Sequence, residues 1–429
     1  MSERPIIIGF GPAGMFAALE LIEQGYRPLI FERGKSLEER SADVNKFIRK
    51  RELDPESNIQ FGEGGAGSYS DGKLFSRTNN SPLAAKVLET YVRFGAPPDI
   101  IHKNKPHLGT DVLCDIVKNI REYIISQGGE IHFSSKLTGL IVSNGRARGV
   151  TINSVKEYLS SKIFLAIGHS ARDTFEMLHE ANILIEQKPI SVGVRIEHPA
   201  ELINNIRHSK RDQAAATYSF TYTDRTTGRG AYTFCMCPGG EIVNASSANG
   251  HLVLNGMSYS KRDSKYSNSA IVVTGQTSDY ESDHPLAGVY FQKMIEQKAF
   301  VAGGSAWEAP AQNLEDFLSG KLSTALLENS FRMGVRTAQL SALFPDFVPE
   351  YLTKAFLHWK KEYPLFVGDQ AILLGVETRT TCPVRFPRNA RGESVNVRDL
   401  FPIGEGAGQA GGITSSAIDA IKAVRARKG

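Results

Sequence analysis

The stretch that decides the fold is IIIGFGPAGMFAALELIEQGYRPLIFER, residues 6–33. Gly9, Gly11 and Gly14 form a G-x-G-x-x-G run directly after an apolar, β-branched segment, a context typical of a buried parallel strand that leads into a helix. The pattern therefore predicts a dinucleotide-binding βαβ unit. Its expected elements are a strand over residues 5–8, a helix over 15–24 and a second strand over 27–31.

Each of these glycines has a separate role in such a unit. Gly9 permits the tight turn, Gly11 lets the backbone approach a pyrophosphate, and Gly14 allows close packing of helix on strand. The first N–H groups of the helix and its positive dipole end would face the pyrophosphate. Glu32 ends the second strand, where an acid accepts a hydrogen bond from a ribose 2′-OH. A carboxylate there disfavours NADP and leaves NAD and FAD open.

Length and composition indicate a soluble globular protein of two or three domains. The chain has 429 residues, of which 41% are hydrophobic and 22% charged, with no segment apolar enough to span a membrane and no signal-peptide pattern. The net charge of +4 is spread along the chain and gives little reason to expect nucleic acid. The four cysteines form neither a disulfide framework nor a metal-ligand pattern. We expect a cytoplasmic protein with no metal, no nucleic acid and no membrane among its partners, in an oligomeric state that the sequence leaves open.

A second glycine cluster, FGEGGAGSYSDGKLFSR at residues 61–77, departs from a simple dehydrogenase, which would continue with βαβ units. So many permissive positions suit a backbone that wraps closely around a planar ligand. Phe61, Tyr69 and Leu74 are apolar anchors that a flexible linker would not need. The segment is therefore interpreted as a ligand loop.

The rest of the α/β pattern lies further along the chain. Residues 111–126 predict a helix with Thr110 as its N-cap. A strand, a small hairpin and an apolar strand ending at Gly168 follow it. Near the far end, LFPIGEGAGQAGGITSSAIDAIKAV at residues 400–424 predicts a strand, a glycine-rich turn and a helix that starts near Gly412.

This order of elements resembles the FAD domain of the glutathione-reductase-like flavoproteins. In that fold the N-terminal βαβ unit binds the adenine half and the far end of the chain closes around the flavin. The resemblance implies that Glu405 hydrogen-bonds the ribityl chain, at a position where Asp is commoner. It also implies that the last helix points its N-terminus at the N1/O2 edge of the flavin, where reduced flavin carries negative charge.

The resemblance narrows further through GEGGAGSYSDGKL, HLGTDVL, FCMCPGGEIVNASS and ETRTTCPVR. With these motifs the chain resembles a group of bacterial flavoproteins usually called FAD-dependent or NAD(FAD)-utilising dehydrogenases. Many members carry an N-terminal segment before the glycine loop that this sequence does not show. The resemblance implies non-covalently bound FAD and specifies no substrate. The predicted FAD contacts are Gly9, Gly11, Pro12, Ala13, Gly14, Glu32, Arg33, Gly64, Gly65, Ser70, Gly72, Lys73, Gly168, Gly404, Glu405, Gly412, Ile413 and Thr414.

The middle of the chain has a different pattern of apolar and polar residues. Segments such as ISVGVRIEHP and GAYTFCMCPGGEIVNAS alternate apolar and polar residues, as half-buried antiparallel strands do, while HPLAGVYFQKMIEQKAFVAG and FLSGKLSTALLENSF predict helices. The expected fold is α/β: a Rossmann-like FAD-binding domain of three-layer ββα type, split by a β-rich α+β substrate or cap domain. The expected boundaries are residues 1–186 and 361–429 for the FAD domain and 187–360 for the substrate domain, with the α/β part resuming near Ala371 and the active site in the crevice.

The candidate catalytic residues are Cys235, Cys237, Arg379 and Lys73. C-x-C on a strand points both thiols to one face, and a direct disulfide would be strained, so packing or lining of the pocket is favoured over thiol redox chemistry. Arg379 could clamp a substrate carboxylate in bidentate fashion, with an inter-domain ion pair as an equal alternative. Lys73 could face the N5 edge of the flavin.

Two further residues have alternative interpretations. Asp71 could face the same flavin edge as Lys73 or hold its own turn through an Asx hydrogen bond. His169 follows the Gly168 turn, at the carboxyl end of a strand where ligands bind in α/β folds. A hydrogen-bonded turn histidine is favoured there over a proton shuttle.

The expected function is that of a FAD-dependent oxidoreductase, a dehydrogenase or reductase, which transfers hydride between flavin N5 and a small organic substrate. This substrate could be anionic or neutral. No second complete G-x-G-x-x-G unit is visible, so reduction would come from the substrate, a carrier protein or NAD(P)H that binds transiently. The alternatives are a monooxygenase of the aromatic hydroxylase type, an FAD-dependent RNA-modifying enzyme, which the low net charge disfavours, and a flavin-binding module without activity.

Overall fold

The structure, a computed structural model, describes residues 4–74, 81–103, 106–206 and 216–426, so that residues 75–77 of the predicted ligand loop lie outside the described residues. No helix in these ranges is both long and apolar enough to cross a lipid bilayer.

The strands are β1 (Ile6–Ile8), β2 (Leu29–Phe31), β3 (Glu130–His132), β4 (Leu137–Ser143), β5 (Arg146–Ile152), β6 (Lys156–Leu159), β7 (Ile163–Leu165), β8 (Glu186–Gln187), β9 (Ile190–Pro199), β10 (Thr221–Thr223), β11 (Gly230–Cys237), β12 (Glu241–Asn244), β13 (Leu254–Met257), β14 (Tyr266–Gly275), β15 (Ala309–Asn313), β16 (Val335–Thr337), β17 (Ile372–Glu377), β18 (Val384–Arg385) and β19 (Leu400–Pro402). The helices are α1 (Pro12–Glu23), α2 (Leu37–Lys50), α3 (Pro82–Arg93), α4 (Gly109–Ser126), α5 (Arg172–Glu180), α6 (Ala200–Ile206), α7 (Ala287–Ala302), α8 (Leu314–Leu318), α9 (Phe347–Lys360) and α10 (Ile413–Ala426), with short 3₁₀ helices at Gly65–Tyr69, Pro98–Ile101, Thr277–Tyr280, Leu340–Leu343 and Glu405–Ala407.

The first sheet is parallel and has the strand order β19-β7-β1-β2-β3. Helices α1, α3, α4 and α10 share one hydrophobic cluster with this sheet. The antiparallel sheet β4-β5-β6 and helix α5 share a second cluster with it. Because both faces are covered, the central strand β1 is apolar at every position, with Ile6, Ile7 and Ile8 at most 4% exposed.

The predicted βαβ unit is confirmed at β1, α1 and β2. Gly11 is the N-cap of α1, and Pro12 occupies the first helical turn, where its missing N–H is no loss. A Cβ on Gly14 would lie 2.0 Å from the Gly9 carbonyl oxygen, so the close packing predicted for this glycine is present. The N-cap predicted at Thr110 is wrong, because α4 starts two residues earlier than expected, at Gly109 after Leu108, and the Thr110 hydroxyl instead donates to the Ser70 carbonyl at 2.8 Å.

The second sheet has seven strands in the order β10-β11-β14-β9-β17-β15-β16, antiparallel except for the β15–β16 pair. Antiparallel strands were predicted here, but the expected alternation of burial is wrong for β9, whose residues 190–198 are all buried. Helix α9 packs against β9, β10, β11 and β14, while the β12–β13 hairpin contacts β11, β14 and β17. Polar residues on these strands are therefore covered by protein and not by water.

Two expectations for the later part of the chain differ from the structure. The C-terminal part of the FAD domain was expected to begin at residue 361, with its first α/β element near Ala371, and β17 was therefore assigned to it. In the structure, β17 pairs instead with β9 and β15 in the antiparallel sheet. All six of its residues are buried, and an uninterrupted apolar run does not distinguish a parallel strand from a central antiparallel one. The helix expected in FLSGKLSTALLENSF ends at Leu318, just before Gly320, whose φ is +67°.

Candidate functional site

The carboxyl ends of the parallel strands open on a cavity of about 900 Å³. Gly9 follows β1, Glu32 follows β2, Gly168 lies beyond β7 and Glu405 lies beyond β19, and all four line the cavity. Ligands of open α/β sheets bind in the crevice outside the carboxyl ends of the strands. Residues of the antiparallel part complete the wall, among them Phe234, Cys235, Asn255, Glu377 and Arg379.

The carboxylate of Glu32 is buried and accepts hydrogen bonds from three loops. Its Oε2 accepts from the Phe10 N–H at 2.8 Å, and its Oε1 accepts from the N–H groups of Gly34 at 2.9 Å and Gly62 at 3.0 Å. A carboxylate offers about four acceptor sites. Oε2, with a single donor among the described residues, therefore keeps room for a ligand hydroxyl.

Arg40 shapes the second glycine cluster from behind. Its side chain is fully buried and donates to the carbonyl oxygens of Asn58 at 2.8 Å, Ile59 at 2.9 Å and Glu63 at 2.6 Å. Burial lowers the pKa of Arg40. Sequence reasoning missed this residue, because an arginine in a polar helix carries no local sign that it is buried.

Most of the predicted FAD contacts line the cavity, but four do not. Gly14 and Gly404 are used for packing, since a Cβ on Gly404 would lie 2.7 Å from the Ala13 Cβ. Gly64 lies against Ser68 and Val117. The Thr414 hydroxyl donates to the Leu74 carbonyl at 2.8 Å. The residues that line the cavity are Gly9, Gly11, Pro12, Ala13, Glu32, Arg33, Gly65, Ser70, Gly72, Lys73, Gly168, Glu405, Gly412 and Ile413.

Asp71 and Lys73 connect the glycine loop to the antiparallel part. The buried Asp71 carboxylate forms ion pairs with Arg262 at 2.6 Å and Lys73 at 3.3 Å, and it accepts the Ser258 hydroxyl. Burial raises the pKa of Asp71, but the charges of Lys73 and Arg262 outweigh it and hold that pKa below its ordinary value. The carboxylate thus contacts the opposite wall, while Lys73 remains on the cavity surface.

Arg379 lies at the cavity wall with its guanidinium engaged by Glu296. Its Nη2 is 3.0 Å from Glu296 Oε2 and its Nε 3.1 Å from Oε1, while Arg172 Nη1 donates to Oε2 at 2.8 Å. A third donor, Nη1 of Arg379, contacts the Ser247 hydroxyl at 2.7 Å. The ion-pair alternative is therefore present, and the carboxylate clamp stays a prediction.

Burial shifts the pKa values of His169 and Glu405, two of the predicted residues, in opposite directions. It lowers the pKa of His169 to about 3, and Nδ1 of this ring lies 2.9 Å from the Ser170 hydroxyl. A neutral, hydrogen-bonded histidine is thus favoured over a proton shuttle. Burial raises the pKa of Glu405 to about 7, although the Gly412 N–H and Lys188 oppose the shift.

Sequence reasoning also missed four residues that line the cavity or lie just behind its wall, namely Arg195, Asn255, Glu377 and Lys188. Arg195 donates to Glu377 at 2.9 Å and to Asn255 at 2.9 Å. Arg195 and Glu377 lie on the neighbouring strands β9 and β17, whereas Asn255 belongs to the β12–β13 hairpin. The one available signal was a charge on each of two apolar strands, Arg195 in β9 and Glu377 in β17. Lys188 lines the cavity and has no ion-pair partner among the residues that the structure describes.

Comparison with known proteins found a family that matches the middle of the chain and a relative that matches nearly all of it. Residues 189–380 match the family described as "FAD-dependent protein, C-terminal domain-like". An uncharacterised protein of Clostridium beijerinckii is 45% identical over 425 residues, which cover 98% of this chain and 79% of that protein. The chain belongs to this family of FAD-dependent proteins.

Among solved structures, the flavin-dependent brominase Bmp2 is 13% identical over 66% of this chain and 58% of its own, with a TM-score of 0.33. CtdE in complex with FAD is 12% identical over 100% of this chain and 84% of its own, with a TM-score of 0.35. The tetracycline destructase Tet(51) is 11% identical over 100% and 82%, with a TM-score of 0.40. At these TM-scores the likenesses carry no argument about the activity of this FAD-dependent protein.

The cavity of this family member has a surface that fits FAD. Around the Cβ positions of Gly168, Gly411 and Gly412 no atom lies within 4 Å, so bare backbone faces the cavity. The N-terminal turns of α1 and α10 also reach it, through Pro12 and Ile413. Helix N-termini favour anionic groups, such as a pyrophosphate.

Replacing Glu296 tests the pairing with Arg172 and Arg379. Glu296→Gln removes the negative charge between two buried guanidiniums, and we expect it to lower the free energy of unfolding by about 3–5 kcal/mol. The measurement is the urea denaturation midpoint. Glu350→Gln, which breaks the exposed Glu350–Lys354 pair, is the matched control and should leave the midpoint unchanged. An equal midpoint for both variants would show that the Glu296 cluster does not stabilise the fold.

Glu405 makes stability depend on pH in a defined direction. Its folded pKa of about 7 exceeds the ordinary value of 4.5, so between these pH values the folded state holds a proton that the unfolded state has lost. Stability should therefore fall as pH rises from 4.5 to 7 and change no further above that. Denaturation curves of wild type and Glu405→Gln across this range should diverge by about 1–3 kcal/mol. Parallel curves would contradict the raised pKa.

Proposed function

We propose that the protein is a FAD-dependent oxidoreductase, a dehydrogenase or reductase, that acts on a small organic substrate. Non-covalently bound FAD would supply hydride acceptance and donation at flavin N5. The observation that carries the proposal is one continuous cavity whose wall joins the glycine turns of the parallel sheet to charged side chains of the antiparallel part. A cofactor on the first wall and a substrate on the second would then lie next to each other.

The chain's own groups would bind the cofactor along the parallel-sheet wall. The Gly11 backbone and the first turn of α1 would receive the pyrophosphate. The remaining acceptor site on Glu32 Oε2 suits a ribose hydroxyl. Glu405, with a pKa of about 7, can donate a hydrogen bond when protonated and accept one when ionised.

An anionic substrate is favoured by the cationic side chains that line the cavity. Lys188 faces the cavity without an ion-pair partner among the described residues, and the Lys73 side chain keeps 37% of its surface exposed. Arg379 adds a third cation, already shared with Glu296. In a site sheltered from water, such cations attract a carboxylate or phosphate more strongly than they would on an open surface.

The cofactor assignment is tested by Gly11→Ala. The Gly11 φ of −84° suits alanine, and the nearest atom to the new Cβ would be 3.6 Å away, so the fold should tolerate the change. The methyl group would nevertheless occupy the line of approach of the pyrophosphate. We expect the purified wild type to be yellow with one FAD per chain, and the variant to bind FAD at least about tenfold more weakly by fluorescence titration. A colourless wild type that takes up no FAD would refute the proposal.

Anaerobic titration with NADH and NADPH tests the source of electrons. Bleaching of the flavin absorbance by either nucleotide would support a reductase with a transient nicotinamide donor. A flavin that stays oxidised with both would support a dehydrogenase reduced by its own substrate. Oxidation of a nicotinamide that an aromatic compound stimulates, with oxygen consumed, would replace the proposal with a monooxygenase of the aromatic hydroxylase type.

A further inference from the structure

Cys235 lies at a β-bulge in β11. The strand pairs with β14 as far as Phe234, opposite Ala270, and resumes at Cys237, opposite Asn268, so β11 holds one extra residue. Cys235 has a φ of +45°, which is rare for a residue with a side chain, and such conformations cluster at functional sites. Bulges re-aim side chains. The simple alternation expected for C-x-C on a strand therefore fails here.

The bulge gives the two thiols different positions. Cys235 is half-buried and lines the cavity, whereas Cys237 is fully buried and does not. The Cys237 Sγ lies 3.4 Å from the Cys235 carbonyl oxygen. One thiol thus lines the cavity, and the other is enclosed by protein next to the Cys235 backbone.

Two cations hold the backbone of this bulge. Lys73 Nζ donates to the Met236 carbonyl, and Arg195 Nη1 donates to the Cys235 carbonyl at 3.2 Å. The interaction with the Cys237 thiol lowers the pKa of Cys235, against the effect of burial, and the charges of Lys73 and Arg195 lower it further. The same interaction raises the pKa of Cys237.

The other two cysteines provide a comparison within the chain. Burial raises the pKa of Cys114 to about 11 and that of Cys382 to about 12, and neither lines the cavity. Thiolates, not thiols, are the nucleophiles. Cys235 is thus distinguished from Cys114 and Cys382 by its position as well as by its electrostatic surroundings.

We propose that Cys235 and Cys237 form a redox-active dithiol, with Cys235 as nucleophile and Cys237 as resolving thiol, and that the substrate is a small disulfide. This inference deepens the proposed oxidoreductase function and rests on it for the supply of electrons. It also names a substrate class for the same cavity.

The reaction balances in two exchange steps. The Cys235 thiolate attacks one sulfur of RS–SR, which forms a Cys235–S–S–R bond, breaks the RS–SR bond and releases RS⁻. The Cys237 proton passes to this RS⁻, and the Cys237 thiolate attacks the Cys235 sulfur and expels the second RS⁻. The products are one RSH, one RS⁻ and a Cys235–Cys237 disulfide. Restoring the thiolate and the thiol takes two electrons and one proton, which FAD held at the parallel-sheet wall would supply as one hydride equivalent taken from a hydride donor.

The test uses the purified, full-length holoprotein and 2-hydroxyethyl disulfide as the probe. After brief exposure, alkylation and mass spectrometry should find two of the four thiols of the wild type lost as an internal Cys235–Cys237 disulfide. Cys237→Ser should instead retain one hydroxyethylthio group on Cys235, and Cys235→Ser should form neither product. Cys114→Ser is the matched control and should behave as the wild type. In the wild type, Cys235 should react at least about tenfold faster than Cys114 or Cys382.

Several results would overturn the dithiol. One is a wild type that keeps all four thiols; another is a Cys235 that reacts no faster than Cys114. Because the thiol count does not depend on flavin turnover, the two proposals can fail separately. Protein that binds and reduces FAD while its cysteines stay inert overturns the dithiol alone. Protein that forms the Cys235–Cys237 disulfide but binds no FAD supports the dithiol and overturns the proposed function.

Discussion

The cavity depends on the buried carboxylate of Glu32. Its two oxygens accept the N–H groups of Phe10, Gly34 and Gly62, which belong to the first glycine turn, the end of β2 and the second glycine cluster. Hydrogen bonds from backbone N–H groups to an ionised carboxylate are among the stronger ones in proteins. Glycine-rich segments have little side-chain packing to hold them, so one such acceptor sets their relative positions. Arg40 does the same for the carbonyl groups of Asn58, Ile59 and Glu63 from the other side.

The wall opposite is held by charges as well. Asp71 pairs with Lys73 and Arg262, and Glu296 pairs with Arg172 and Arg379. Buried ion pairs contribute little net stability compared with apolar packing, while an unpaired buried charge is expensive. These clusters therefore favour one relative arrangement of the two sheets over others, because any displacement would leave a charge unpaired. A cavity between two sheets needs such specificity more than it needs additional stability.

Local patterns predicted the parts of the fold that depend on neighbours in the sequence. The glycine spacing and the apolar run located β1, α1 and β2, and the final strand and helix were found at β19 and α10 for the same reason. Features that depend on distant strands were missed or misplaced. Arg195 is buried because Glu377, 182 residues later, meets it across neighbouring strands, and β17 was assigned to the wrong sheet because a buried apolar strand looks alike in both.

The C-x-C motif shows the same limit most sharply. Alternation along an ideal strand placed Cys235 and Cys237 on one face, and the strain of a direct disulfide between them argued against redox chemistry. One extra residue in β11 breaks that alternation, and its effect is visible only with β14, Lys73 and Arg195 in place. Since burial alone would have raised the pKa of all four thiols, the lowered pKa of Cys235 must come from its neighbours. The pKa of a cysteine in this chain thus depends on which loops and strands converge on it, and the parallel sheet takes part through Lys73, in the glycine loop that Glu32 anchors.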